Sequence, residues 1–177
     1  AFLLTLAPYL VTRYLRFCLP WEINFLIAAS LYIHVMGHVG EYYVTFAPYY
    51  DKLAHLVASV TVGLIALFLA LLAERRGEIR LTGPAIVLTS TLAAGTVWEI
   101  YEFAVDQVFG TNLQFGNTDT MWDLVVDLVG GALVAVFAAI VLARGEEDRF
   151  DRFFAEPPSG AEPSEVMGDP IDPARTR

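Results

Sequence analysis

Apolar residues fall into long runs separated by short polar breaks, and the runs predict helices rather than strands. Five helices are expected: a first up to about residue 17, then 21–43, 51–74, 81–109 and 119–143. The last four reach about 20 residues or more, enough to cross about 30 Å of hydrocarbon. Pro20, Pro48 and Pro84 fall in connections or first turns, where proline is tolerated. Gly110 and Gly116-Asn117-Thr118 break the chain before the fifth helix. Thr118 or Asn117 is expected to cap that helix, with Asp119 near its positive end. The chain is already apolar at Ala1, so the first run reads as the end of a helix that starts upstream. It has no basic stretch of the kind that opens a signal peptide. The predicted fold is all-α: residues 1–144 form a polytopic transmembrane helical bundle of four full helices and a truncated first one.

Beyond Arg144 the pattern changes. Residues 145–154 are charged and fit a short amphipathic helix with Phe150, Phe153 and Phe154 at a membrane surface. From Glu156 onward Pro, Ser, Gly and acids dominate, which predicts disorder. Residues 145–177 thus read as an acidic, Pro-rich tail.

The polar positions inside the apolar runs carry the most information. His34, His38 and Glu41 are spaced i, i+4, i+7, and Asp51 and His55 i, i+4. Glu99, Glu102 and Asp106 are spaced i, i+3, i+7, and Asp119, Asp123 and Asp127 i, i+4, i+8. Each set lines one face of one expected helix. A charge at the bilayer centre costs about 2.5–3.5 kcal/mol on insertion scales, so groups placed in register this often point to a purpose. His34, Glu99 and Asp127 lie deepest, roughly 10–15 Å from the helix ends at about 1.5 Å per residue. The sets predict a cavity that opens at one membrane face and narrows toward the bilayer centre.

Composition fits a membrane chain: of 177 residues, 56% are hydrophobic. The formal charge is −9, with nine acids and four arginines in residues 145–177. That balance argues against nucleic acid as a partner. Cys18 is the single cysteine, which excludes an internal disulfide and a cysteine-built metal site. Arginines 13, 16, 75, 76, 80 and 144 fall in connections expected to share one side, which the positive-inside rule makes cytoplasmic. Connections 44–50 and 110–118 hold no Lys or Arg and are expected to face outward, with the tail cytoplasmic.

Carboxylates and imidazoles on facing helices commonly hold divalent metals. The expected metal ligands are Glu99, Glu102, Asp119 and Asp123. His55 is a further ligand or the general base, with Asp51 and Lys52 beside it in the reacting group. His34, His38, Glu41, Trp98, Tyr101, Asp106 and Asp127 are expected to line the cavity or support the site. Oxygen-rich ligation with one or two histidines suits Mg, Mn, Ca, Zn or Fe. The function expected is a metal-dependent hydrolase or transferase acting on the head group of a lipid or lipid-linked molecule. Membrane lipid is then the natural partner. A second reading needs no metal: a graded series of Asp, Glu and His is also the make-up of a proton- or ion-coupled transporter. A third is a buried polar network that only fixes helix register, with His34 and His38 bonded to backbone or tyrosine hydroxyls. Most of the aromatics fit an interfacial belt. No nucleophile elbow, phosphate-cradling loop or dinucleotide fingerprint occurs.

Four blocks together carry a resemblance. They are Asp51-Lys52-Leu53-Ala54-His55, then Trp98-Glu99-Ile100-Tyr101-Glu102, then Asn112-Leu113-Gln114 with Gly116-Asn117-Thr118-Asp119-Thr120-Met121 and Asp123, then Asp127 with Gly130. In these blocks the chain resembles the YjdF-like family of small prokaryotic membrane proteins, over residues 8–143. More loosely it is similar to VanZ-like proteins, some of which are associated with glycopeptide resistance. Those chains usually carry Asn where this one has Asp127. The resemblance implies an integral membrane protein without assigned biochemistry, and it supplies no mechanism.

Overall fold

A computed structural model describes residues 20–75 and 83–144. The expected first helix, Cys18, most of the connection after the third expected helix and the acidic tail lie outside the described residues. Five helices follow in order: α1 (Trp21–Val39), α2 (Tyr42–Thr45), α3 (Tyr49–Arg75), α4 (Gly83–Phe109) and α5 (Asn117–Ala143). The described residues contain no strand. The all-α fold is the one the apolar runs predict, with two local differences.

The second expected helix breaks early. It ends at Val39, and Glu41 takes a left-handed backbone with φ 54° before the single turn of α2. Such a φ is uncommon for a residue with a Cβ, and it ends any helical register. Glu41 therefore leaves the face that His34 and His38 share. The second difference is a cap. Gly116, with φ 106°, precedes α5, so Asn117 and Thr118 sit inside the helix and neither caps it through a side chain. Gly110, with φ 65°, closes the other end of the same loop. Both glycines hold backbone that a side chain would strain.

Trp21–Val39, Tyr49–Ala73 and Asn117–Ala143 are long and apolar enough to cross a membrane. The fourth, α4, matches α5 in length at 27 residues. Glu99, Glu102, Asp106 and several threonines dilute its apolar character. It packs against both α3 and α5, which also pack against each other, so α3, α4 and α5 form the body of the bundle. α1 leans mainly on α3, where Ser30 meets Thr61 at 3.1 Å and the Tyr50 hydroxyl donates to the Ile33 carbonyl at 2.8 Å.

The two ends of the body differ. At one end Leu67 and Leu71, Val87, and Val134 and Ala138 form a core from all three helices. In hydrocarbon such contacts gain little from leaving water, so close packing and small residues hold the helices. Gly63 faces Val134, Gly131 faces Thr91 and Gly130 faces Ser59, each closer than a Cβ would comfortably allow. At the other end the interior is polar. There the start of α3, the end of α4 and the start of α5 bring their acids together.

Candidate functional site

The polar end is built from one stripe on each of three helices. Asp51, Lys52, His55 and Ser59 come from α3, Trp98, Glu99 and Glu102 from α4, and Asp119, Asp123 and Asp127 from α5. Period 3.6 puts each group on one face, and packing turns the faces inward. The most enclosed members are His55, Glu99, Asp123 and Asp127, at 6%, 5%, 2% and 3% exposure.

Lys52 is the built-in cation. Its Nζ lies 2.5 Å from Asp119, 2.7 Å from Asp123 and 3.1 Å from Asp51. His55 is held from the opposite side. Its Nδ1 is 3.2 Å from Asp127, leaving Nε2 turned toward Glu99 at 3.5 Å and Asp123 at 3.8 Å. The Ser59 hydroxyl lies 2.6 Å from the His55 carbonyl and 2.5 Å from Asp127 Oδ1, sharing one proton between them. Gly95 makes room for this: a Cβ there would stand 2.0 Å from Asp127 Oδ2.

Two features of this geometry are chemical. First, both Glu99 oxygens and Asp123 Oδ1 are buried without a hydrogen bond, although Lys52 offers Asp123 an ion pair. Second, a neutral His55 that donates Nδ1–H to Asp127 points its Nε2 lone pair at carboxylate oxygens. Lone pairs facing one another in an enclosed site need a proton or a cation between them. Asp51, His55 and Asp123 each offer one ligand atom, all within 4.8 Å of one another. Asp127 on the far nitrogen of His55 is the partner that metal-bound histidines usually have. The residues therefore fit a divalent cation as well as a proton.

The placement departs from the expected ligand set. The structure brings Glu99 and Asp123 to His55 and adds Asp51. Asp119 is turned to Lys52. Glu102 accepts a hydrogen bond from Trp98 Nε1 at 2.9 Å. Asp106, expected at the cavity, instead organises the α4–α5 loop. It accepts from the Thr111 hydroxyl at 2.6 Å and from the amides of Leu113 and Gln114 at 2.8 and 2.9 Å. Glu41 is exposed beyond the end of α1. Ser59, absent from the sequence-derived site, was readable as the next i+4 position after His55.

Beside the acids a cavity of about 630 Å³ runs between α1, α3 and α4. Its wall is mostly apolar, with His34, Asp51, His55, Trp98, Tyr101 and Asp127 reaching it. His34 Nδ1 meets the Tyr43 hydroxyl at 3.1 Å, and its ring stands edge-on to His38 and Trp98. The Tyr43 ring lies against Gly37, where a Cβ would meet it at 2.2 Å. Burial, then the charges of Asp51 and Glu102, push the Tyr43 phenol well above its ordinary range, so it stays a neutral hydroxyl. The histidines of α1 thus form an aromatic wall, one helix away from the acid cluster.

Apolar helices of membrane length around an enclosed acid–histidine cluster define a membrane protein with an interior polar site. The chain belongs to the family described as "Predicted membrane protein (DUF2238)", which it matches over residues 1–144. This agrees with the YjdF-like resemblance in the Asp51–His55 and Trp98–Glu102 blocks. It is also similar to an uncharacterized protein of Thermotoga maritima, 29% identical over 129 residues. That alignment covers 70% of this chain and 65% of the relative, so the chain spans just under two thirds of the relative's length. No solved structure matches the chain.

Proposed function

We propose that this membrane protein binds a divalent cation beside His55 and acts on the head group of a lipid or lipid-linked molecule. One observation carries the reading. A buried Glu99 carboxylate without a hydrogen bond, and Asp123 Oδ1 ion-paired to Lys52, face the free nitrogen of a histidine whose other nitrogen is already held by Asp127. His55 and Asp123 would hold the ion, with Asp51 or Glu99 completing the set. When bound, the ion supplies a Lewis acid and lowers the pKa of a coordinated water. Asp127 fixes the tautomer of His55. With Asp51 completing the set, Glu99 would be the base that takes a proton from water attacking an ester or phosphoester of the head group, the esterified alcohol being the leaving group. The neighbouring apolar cavity suits an amphiphile, since ligand sites of a few hundred Å³ are usually apolar with few polar groups.

The test is elemental analysis of protein purified in detergent without chelator, together with thermal unfolding. EDTA should lower Tm, and Mn or Zn should restore it. Cation at a hundredfold excess over its Kd contributes about 2.7 kcal/mol by linkage. Glu99→Gln should weaken that response. Protein with neither stoichiometric metal nor any response to chelator or added cation overturns the reading. A proton-coupled transporter would then stand, favoured by the fact that Lys52 already supplies one cation to three acids. The same reading places the polar end on the outer face of the membrane, because connections 44–50 and 110–118 hold no Lys or Arg.

A further inference from the structure

Lys52 and a cation held at His55 would have a claim on a single atom. Asp123 Oδ1 lies 2.7 Å from Lys52 Nζ and 3.8 Å from His55 Nε2. It is buried, and Lys52 is the cation that holds it. An ion bridging His55 and Asp123 would use the oxygen that Lys52 now holds. Asp51 is shared in the same way: its Oδ2 is 3.1 Å from Lys52 Nζ, and the residue is one of the three that offer ligand atoms at metal spacing. Asp119 is different, because it contacts Lys52 and stands outside that group of three. Glu99 is the independent sign that the site is made for more than Lys52. Its carboxylate is enclosed, has no hydrogen bond, and faces His55 rather than the lysine.

We infer that Lys52 is a tethered competitor for the cation site, and that a divalent ion enters only as the Lys52 ammonium leaves Asp51 and Asp123. The inference rests on the proposed cation binding and adds its control. Like charges repel across a shared carboxylate, and more strongly where water is scarce. The ammonium sits on a flexible four-carbon stem, so it can withdraw without a change in the helices. Asp119 then has a defined role, as the anchor to which the displaced lysine stays paired. Occupancy by an ion and release of Lys52 become a single exchange. Without an ion the acids keep one tethered positive charge among them, which a cluster of bare acids inside a membrane would lack.

The experiment uses the full chain in detergent and titrates Mn2+ alone into wild type, Lys52→Met, and the double variant Lys52→Met/Asp119→Asn. The double variant removes the lysine together with its one partner outside the metal group, so it keeps the charge balance and guards against misfolding of the single variant. Both variants are expected to bind Mn2+ at least tenfold more tightly than wild type. Lys52→Arg should bind as weakly as wild type or more weakly. Wild-type affinity in both neutral variants overturns the competition while leaving the cation site intact. Weaker binding in both also overturns it, since Lys52 would then support the site. Absence of Mn2+ binding in all four proteins removes the cation site itself, and the inference with it.

Discussion

At the scale of single residues, the site depends on one missing side chain. Gly95 lies on α4 directly against Asp127, and a Cβ there would stand 2.0 Å from Oδ2 and 2.8 Å from Cγ. Gly95→Ala should therefore turn Asp127 away from His55 and Ser59. Overpacking of this kind costs about 1–3 kcal/mol. Loss of the carboxylate behind a metal-bound histidine typically weakens affinity by about 10–100-fold. Gly83→Ala is the control, because its Cβ would meet only flexible side-chain tips, Leu142 Cδ1 at 3.2 Å and Leu67 Cδ1 at 3.8 Å. Thermal unfolding and Mn2+ titration of both variants check this; equal effects would refute the role given to Asp127. Residues at this scale were only partly legible in the sequence. Periodicity shows that Asp119, Asp123 and Asp127 share a face, but not that Asp119 meets Lys52 while Asp127 meets His55. Those partners depend on how far each helix is shifted along its neighbour. Asp106 and Glu41 were misplaced for local reasons, a loop folded back onto a carboxylate and a left-handed residue that ends α1. Neither leaves a mark in the hydropathy pattern.

At the scale of helices, small residues decide how close α3, α4 and α5 come. A Cβ on Gly130 would lie 2.6 Å from Ser59 Cβ, an atom fixed by backbone rather than by a rotamer. Gly130→Ala must therefore push α5 off α3, and that movement also draws Asp127 from the Ser59 hydroxyl. The variant should be less stable by about 1–3 kcal/mol. Ser59→Gly combined with Gly130→Ala should recover part of that loss, because it removes the clashing atom. A double-mutant cycle on unfolding in detergent measures the coupling. Additivity of the two changes would mean that the helices do not meet at this point. The helices themselves were readable from the apolar runs, with ends close to those found. Their pairing was less so, although Gly130-Gly131 and Ala94-Gly95 are small-residue pairs of the kind that allow close helix contacts. The sequence does not say that α1 leans mainly on α3, leaving the cavity between α1 and α4.

For the whole molecule, the division into an apolar end and a polar end must be matched to the two faces of a membrane. Lys52 near the start of α3 pairs with Asp119 near the start of α5, so the connections before those helices lie at the same end of the bundle. Those connections, 44–50 and 110–118, are the ones without Lys or Arg. Arg144 follows α5 at the opposite end. Positive charge is generally retained on the cytoplasmic side during insertion, and on that rule the proposed orientation has the acid–histidine site toward the outside. Hydropathy finds the spans but is blind to which face each end meets, so the arginines are the part of the sequence that speaks to this. Single cysteines at Asn112 and Arg144, in a Cys18→Ser background, separate the two orientations. A membrane-impermeant thiol reagent applied to intact cells should label Asn112→Cys and leave Arg144→Cys unmodified until the membrane is opened. The reverse pattern would put the site toward the cytoplasm, and the head group proposed as its substrate would then have to belong to the inner leaflet.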